Sequence, residues 1–270
     1  MKTLMLGNEA AARGLYEAGC SFVSSYPGTP STEITECAAK YPEIYAEWAP
    51  NEKVAMEAAF GASLAGYRSF CGMKHVGLNV AADPLFTVAY TGVNAGMVIA
   101  VADDPGMHSS QNEQDNRHYA RAAKLAMVEP SDSQECLDFM REAYRISEQF
   151  DIPVLFRTTT RVAHSKSIVT FGEREEQEAK PYARNTRKNI ASANAFLNHP
   201  KLEKTLEALE AYGCTSPLNR MELNGTKVGV ISASIAYEYA KDAFPADTSF
   251  LKLGLTNPLP MDLIRSFAEK

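Results

Sequence analysis

Cysteine is scarce in this chain: five in 270 residues, at Cys20, Cys37, Cys71, Cys136 and Cys214, with no Cys-x-x-Cys pair. An odd count at wide spacing excludes a disulfide frame and fits buried thiols in a reducing compartment. Basic charge is also short, with 27 Lys and Arg against 33 Asp and Glu, so the net charge is −6. An acidic field gains nothing from nucleic acid or an anionic membrane, and neither is expected as a partner. No apolar run approaches the ~20 residues of a membrane span, and the opening MKTLMLGNEAAARG is too short an apolar stretch for a secretory signal. A cytoplasmic location is the expectation. There is no P-loop and no Gly-x-Gly-x-x-Gly, and the histidines form no His-x-His or His-x-x-x-His. No metal centre held by this chain alone is therefore expected, and Asp103-Asp104-Pro105 reads as a turn.

The chain does have a regular rhythm. Short apolar runs at 22–25, 44–48, 68–73, 97–102, 125–129 and 153–158 alternate with helical patterns at 8–18, 31–40, 52–65, 79–91 and 133–149. This alternation predicts an α/β fold with a doubly wound, mostly parallel sheet, and the unbroken run MVIAVA at 97–102 suits a central strand buried on both faces. Ser131-x-x-Gln134 reads as a capping box for the helix at 133. Residues 1–165 form the expected first domain, and 166–224 a connector, rich in charge at GEREEQEAK, that carries an amphipathic helix over HPKLEKTLEALEAYG. From 225 to 270 a new βα pattern begins, too short to hold much core of its own.

One segment stands out chemically. PNEKVAMEAAFGASLAG, residues 50–66, places Glu52 at the head of an otherwise small and apolar helix. Asn51 is a good N-cap, and a carboxylate in the first turn complements the helix dipole. The stripe Ala55, Ala58, Ala59, Ala62 and Ala65 would let another backbone approach closely. In a doubly wound sheet, ligands bind at the carboxyl ends of the strands. Three distinctive segments fall there: YPGTPS after strand 22–25, KHVG after strand 68–73, and DDPGMHSSQNEQDNR after strand 97–102.

YPGTPS at 26–31, the Asn51-Glu52-Lys53-Val54-Ala55 helix start and HSSQNEQDNR at 108–117 together resemble the N-terminal part of the alpha subunit of indolepyruvate ferredoxin oxidoreductase. That family belongs to the thiamine-diphosphate-dependent 2-oxoacid:ferredoxin oxidoreductases. The resemblance implies a pyrimidine-binding domain over 1–165 and the incomplete start of a transketolase C-terminal-like domain over 225–270. It implies that Glu52 hydrogen-bonds N1′ of the cofactor's aminopyrimidine, favouring the imino form whose N4′ takes the proton from thiazolium C2. Gly28, Thr29 and His75 would line the cofactor, and Thr29, His108 and Arg121 the substrate. A guanidinium suits a 2-oxoacid carboxylate, and Arg117 rivals Arg121 for that role. Thr29 also reads as an N-cap with Pro30 at the first helical position, and His75 and His108 as structural histidines on strand-end loops.

The implied reaction is oxidative decarboxylation of an aryl 2-oxoacid with CoA, giving acyl-CoA, CO₂ and reduced ferredoxin. The Gly-Asp motif that holds Mg²⁺ and the diphosphate in this family is missing, as are its iron-sulfur cysteine clusters. Hence the expectation is half of a composite site, inactive without a diphosphate-binding partner domain or subunit and assembled as a homodimer. A non-oxidative thiamine-diphosphate decarboxylase component, or a catalytically silent scaffold, are the alternatives.

Overall fold

The computed structural model describes residues 2–182 and 184–270. The chain runs β1 (Lys2–Leu6), α1 (Gly7–Glu17), β2 (Phe22–Ser25), α2 (Thr32–Ala38), β3 (Tyr45–Trp48), α3 (Glu52–Leu64) and β4 (Ser69–Lys74). It continues with α4 (His75–Val80), α5 (Ala82–Thr91), β5 (Met97–Asp103), α6 (Arg117–Ala123), β6 (Met127–Val128), α7 (Ser133–Phe150), β7 (Val154–Thr159) and α8 (Thr160–His164). Then follow β8 (Lys166–Thr170), α9 (Ser192–Gly213), β9 (Arg220–Glu222), β10 (Gly229–Ala233), α10 (Ile235–Ala243), β11 (Ser249–Leu253), β12 (Leu255–Asn257) and α11 (Met261–Glu269).

The central sheet has seven strands in the order β12-β6-β7-β5-β4-β2-β3, all parallel except β12. As the apolar runs required, every residue of β5 and of β7 is buried, because both lie inside the sheet under helices on either side. Helices α1, α2 and α7 pack together, while α3, α4 and α5 form a separate group that continues to α9. No helix among the described residues is long and apolar enough to cross a membrane.

Several boundaries differ from the expectation for physical reasons. The cap of α7 is Asp132, not Ser131: its carboxylate accepts from Glu135 N–H at 2.8 Å, and Glu135 reaches back to Ser131 N–H at 2.8 Å. The same reciprocal arrangement forms one residue later than the Ser-x-x-Gln reading. The helix expected near 79–91 divides at Ala81 into α4 and α5, so His75 opens a helix directly after β4. Within the polar stretch after β5, residues 117–123 are helical, a turn or two of chain whose small residues Ala120 and Ala123 are buried.

Residues 166–170, placed in the connector by composition, pair as β8 with β1 in an antiparallel ribbon. The charged run beyond is tied down along its length. Glu175 N–H donates to Glu17 O and Lys180 N–H to Gly66 O, while the Arg174 guanidinium donates to the carbonyls of Tyr16 and Cys20. After residue 213, β9, β10 and β11 form a small sheet with α10 as the crossover between its parallel pair. β12 then leaves that sheet and adds to β6, joining the C-terminal residues to the central sheet.

Glu148 of α7 helps fix this packing and supplies an acid-sensitive element. Burial pushes its carboxyl up, but hydrogen bonds from Arg68, Gly96 N–H and Lys180 outweigh burial and hold it down at about 2. A carboxyl depressed on folding contributes stability that is present above its unfolded value of about 4.3 and is lost as pH falls toward 2. Melting temperature measured against pH should therefore drop between pH 5 and 2. Glu148→Gln should lower stability at pH 7 and flatten that drop.

Candidate active site

The site is built on the ends of β2, β4 and β5. Asn51 caps α3 through its side-chain oxygen, which accepts from Val54 N–H at 3.0 Å, and this fixes where the first turn begins. Glu52 follows immediately and is only 9% exposed. Its carboxylate makes no hydrogen bond or ion pair with the described residues, and its oxygens are not among the fully buried polar atoms, so the acid's stem is enclosed while its tip stays open at the strand ends. It lies against α4: a Cβ on Gly77 would stand 2.5 Å from Glu52 Oε1. Beneath it, on β4, the Cys71 thiol is pushed up by burial and then by the Glu52 charge, so this cysteine is an inert thiol.

The helix α3 that carries Glu52 is half covered. Ala55, Met56, Ala59 and Phe60 are buried against β2, β4 and α5, whereas Ala58 and Ala62 are half-buried and Ala65 is exposed. The five alanines thus do not share one environment. At 100° per residue the five alanines stay on one stripe, Ala62 only about 20° from Ala55, so the change from buried to exposed follows how far the neighbouring elements cover α3 along its length; Val54, 40% exposed, borders the open edge of that stripe.

Around Glu52 the strand-end residues close in. His75 is fully buried as the first residue of α4, so it is not on a loop as expected; its Nε2 lies 3.0 Å from Asn112 O, and Nδ1 has no partner among the described residues. Lys74 donates to Ser109 O at 2.5 Å, and Asn79 to Gln114 Oε1 at 2.9 Å. Three successive contacts from the end of β4 and from α4 therefore hold the 104–116 loop over this edge. Gly28 packs against Lys74: a Cβ there would stand 2.9 Å from Lys74 Cβ, so the loop can approach the strand only as glycine. Thr29 is exposed beside it and does not cap α2; Ser31 occupies that position, its hydroxyl donating to Gly28 O at 2.8 Å. Gly28, Thr29, Glu52 and His75 thus gather around the ends of β2 and β4.

His108 and Arg121 are placed elsewhere. His108 is exposed and lines a cavity of about 340 Å³ with Thr160, Arg161 and His164. Arg121 and its rival Arg117 line a cavity of about 750 Å³ whose other walls come from α9 and the C-terminal residues, including Ser232, Leu253 and Met261. Arg117 is engaged by Asp115 at 2.6 Å, which holds the Asp115 carboxyl down at about 2, whereas Arg121 has no ion pair among the described residues. The opposite side of α6 faces α4 through a hydrogen bond from Tyr119 to Asn79.

Between these groups lies a buried charge network that the residue pattern did not single out. Arg157 of β7, 6% exposed, donates to Asp103 Oδ2 at 2.7 Å and to Glu129. Burial would lower the guanidinium's pKa, but Glu129 and Asp103 outweigh it and hold the charge on. Asp103 in turn accepts from Asn116 N–H at 3.2 Å and from the Asn116 side chain at 2.5 Å, setting where α6 starts. Asp104, read as part of a turn, is buried and accepts from Ser109 N–H, Ser110 and Thr160; these bonds outweigh burial and keep its carboxyl well below the usual range. The signal for the network was the lone cation in PVLFRT, because a charge in a doubly covered strand requires a buried partner.

The sequence family described as pyruvate flavodoxin/ferredoxin oxidoreductase, thiamine-diphosphate-binding, matches residues 13–214, a span holding Glu52 and every strand end named above. The chain belongs to this family. Among curated members it is 46% identical to the indolepyruvate oxidoreductase subunit IorA of Methanothermobacter marburgensis, over 98% of this chain and 45% of that protein. It is 43% identical to the subunit of the same name from Archaeoglobus fulgidus, over all of this chain and 45% of that one. The chain thus spans about 45% of the length of these oxidoreductase relatives. Its fold matches a 2-oxoglutarate:ferredoxin oxidoreductase from Magnetococcus marinus with a TM-score of 0.80 at 18% identity, over 99% of this chain and 56% of that one. A thiamine-diphosphate-binding family suits the site observed here. The Glu52 carboxylate has no protein partner among the described residues and is not closed off, so it is available to a ring nitrogen, and the buried His75 Nδ1 beside this edge also lacks a partner among them.

Proposed function

We propose that this chain supplies the pyrimidine-binding half of the active site of an oxidoreductase that decarboxylates indolepyruvate and related aryl 2-oxoacids, with CoA as acyl acceptor and ferredoxin as electron acceptor. The observation that carries this reading is the Glu52 carboxylate, 9% exposed and unpartnered among the described residues at the carboxyl edge of a parallel sheet. When bound, thiamine diphosphate supplies the electron sink that decarboxylation of a 2-oxoacid needs. Glu52 would hold the aminopyrimidine of that cofactor and share a proton with it. Gly28, Thr29 and His75 shape the wall beside it, the buried imidazole holding the 104–116 loop in place through Asn112. Arg121, free of ion pairs among the described residues, would meet a substrate carboxylate that enters the cavity it lines with α9, whereas His108 faces a different cavity and would contact only a part of the substrate that reaches there.

The diphosphate and Mg²⁺ are held by a separate domain or subunit, and iron-sulfur clusters belong to the complete enzyme, because these 270 residues offer neither a Gly-Asp motif nor clustered cysteines. The complete enzyme is cytoplasmic. It forms a homodimer in which the open small-residue side of α3, at Ala58, Ala62 and Ala65, meets another protein surface. Calorimetry tests the composite site. The purified chain should show neither turnover nor micromolar binding of thiamine diphosphate with Mg²⁺, while its assembly with the diphosphate-binding portion should bind. Micromolar binding by the chain alone would sink the proposal.

A further inference from the structure

Gly77 occupies an odd place for a glycine. It is a buried residue within α4, and its φ lies outside the left-handed region, so no backbone conformation demands it. Glycine inside a helix is less favourable than alanine, since it loses more freedom on folding and adds no side chain to the core. The neighbourhood supplies the reason for it. A Cβ built at Gly77 would stand 2.5 Å from Glu52 Oε1, 2.6 Å from Cγ and 2.9 Å from Cδ. No other group is as near, and no hydrogen bond from the described residues holds that carboxylate in place. The acid is therefore located by shape alone, lying along a groove whose floor is the α4 backbone.

We propose that Gly77 is a positioning residue for Glu52, its missing side chain forming the slot that sets the height of the carboxylate above the end of β4. The proposal rests on the reading of Glu52 as the acid that shares a proton with N1′. A methyl group at position 77 forces Oε1 to retreat by about 1 Å to reach ordinary contact. Cγ, at 2.6 Å, must move along with the carboxylate, so Glu52 has to leave its present rotamer; no protein hydrogen bond is lost in doing so, and the chain stays folded. For a proton-sharing group, however, a shift of about 1 Å is worth on the order of 100-fold in rate.

The test uses Gly77→Ala in the complete enzyme loaded with thiamine diphosphate and Mg²⁺. Thiazolium C2 hydrogen-deuterium exchange should slow about 100-fold, and the near-ultraviolet circular dichroism signature of the imino tautomer should weaken, in an enzyme that remains folded and assembled. A thermal double-variant cycle gives a readout independent of the cofactor. In a Glu52→Ala background the methyl meets no side chain, so Gly77→Ala should raise the melting temperature more there than in the parent. Equal thermal shifts in the two backgrounds, or exchange at the parent rate in Gly77→Ala while Glu52→Gln is silent, would overturn the proposal. Parent-rate exchange in Glu52→Gln itself would instead remove the reading of Glu52, and the role of Gly77 with it.

Discussion

Glu52→Gln is expected to lower turnover of the complete enzyme by 10²- to 10⁴-fold, the usual worth of a positioned acid or base, while leaving the melting temperature almost unchanged. The separation of effects follows from the surroundings of the side chain. Glu52 has no partner among the described residues to lose, and glutamine keeps its shape against Gly77. Removing a nearly buried charge offsets the weakened interaction with the α3 dipole, which is worth ~0.3–1 kcal/mol. Glutamine can donate to or accept from N1′ but cannot share a proton with it. The loss should fall in kcat, with KM little altered. A variant that melted well below the parent would show that the carboxylate is structural.

Arg157→Met should have the largest effect on stability. The change leaves the Asp103 and Glu129 carboxylates buried without their shared cation, and breaking a buried pair in this way costs ~3–5 kcal/mol. For a chain of this size that is a fall of about 10 °C in melting temperature by calorimetry. The triple variant Arg157→Met, Asp103→Asn, Glu129→Gln should recover much of the loss, because neutral groups at these positions carry no uncompensated charge. Asp103 also anchors Asn116 ahead of α6, so the single variant should loosen Arg117 and Arg121 and raise KM for the 2-oxoacid in the assembled enzyme. A melting temperature within a degree of the parent would mean that the network contributes nothing net.

What could be read from the residues follows the length scale of the forces involved. Apolar runs such as MVIAVA define strands because burial on both faces leaves no other pattern, and β5 lies where that run implied. Asn51 and Glu52 were legible because a cap and a first-turn acid are local chemistry, satisfied within three residues. Pairing between distant segments leaves no such local trace. β1 with β8 and β12 with β6 are short strands whose partners lie over a hundred residues away, and the charged run after β8 is ordered by its own Arg174 on the carbonyls of Tyr16 and Cys20 and by Arg68, Arg141 and Arg145 on Glu175. The site divides in the same way. Gly28 and His75 stand after β2 and β4, where the residue pattern places them, whereas the buried setting of His75 and its own helix left no trace in that pattern. Gly77 and Lys74 act through contacts that only the folded chain creates, and Glu129 becomes notable once Arg157 is seen beside it.

The measurement that bears most directly on the central claim is the exchange rate of the thiazolium C2 proton with deuterium, followed by NMR in the complete enzyme for the parent and for Glu52→Gln. If Glu52 shares its proton with N1′, the parent exchanges at least 100-fold faster than free thiamine diphosphate, a factor in keeping with general acid–base catalysis, and the variant falls back to the free cofactor's rate. Exchange in the variant at the parent's rate would contradict the account, leaving Glu52 as an acid that only starts a helix.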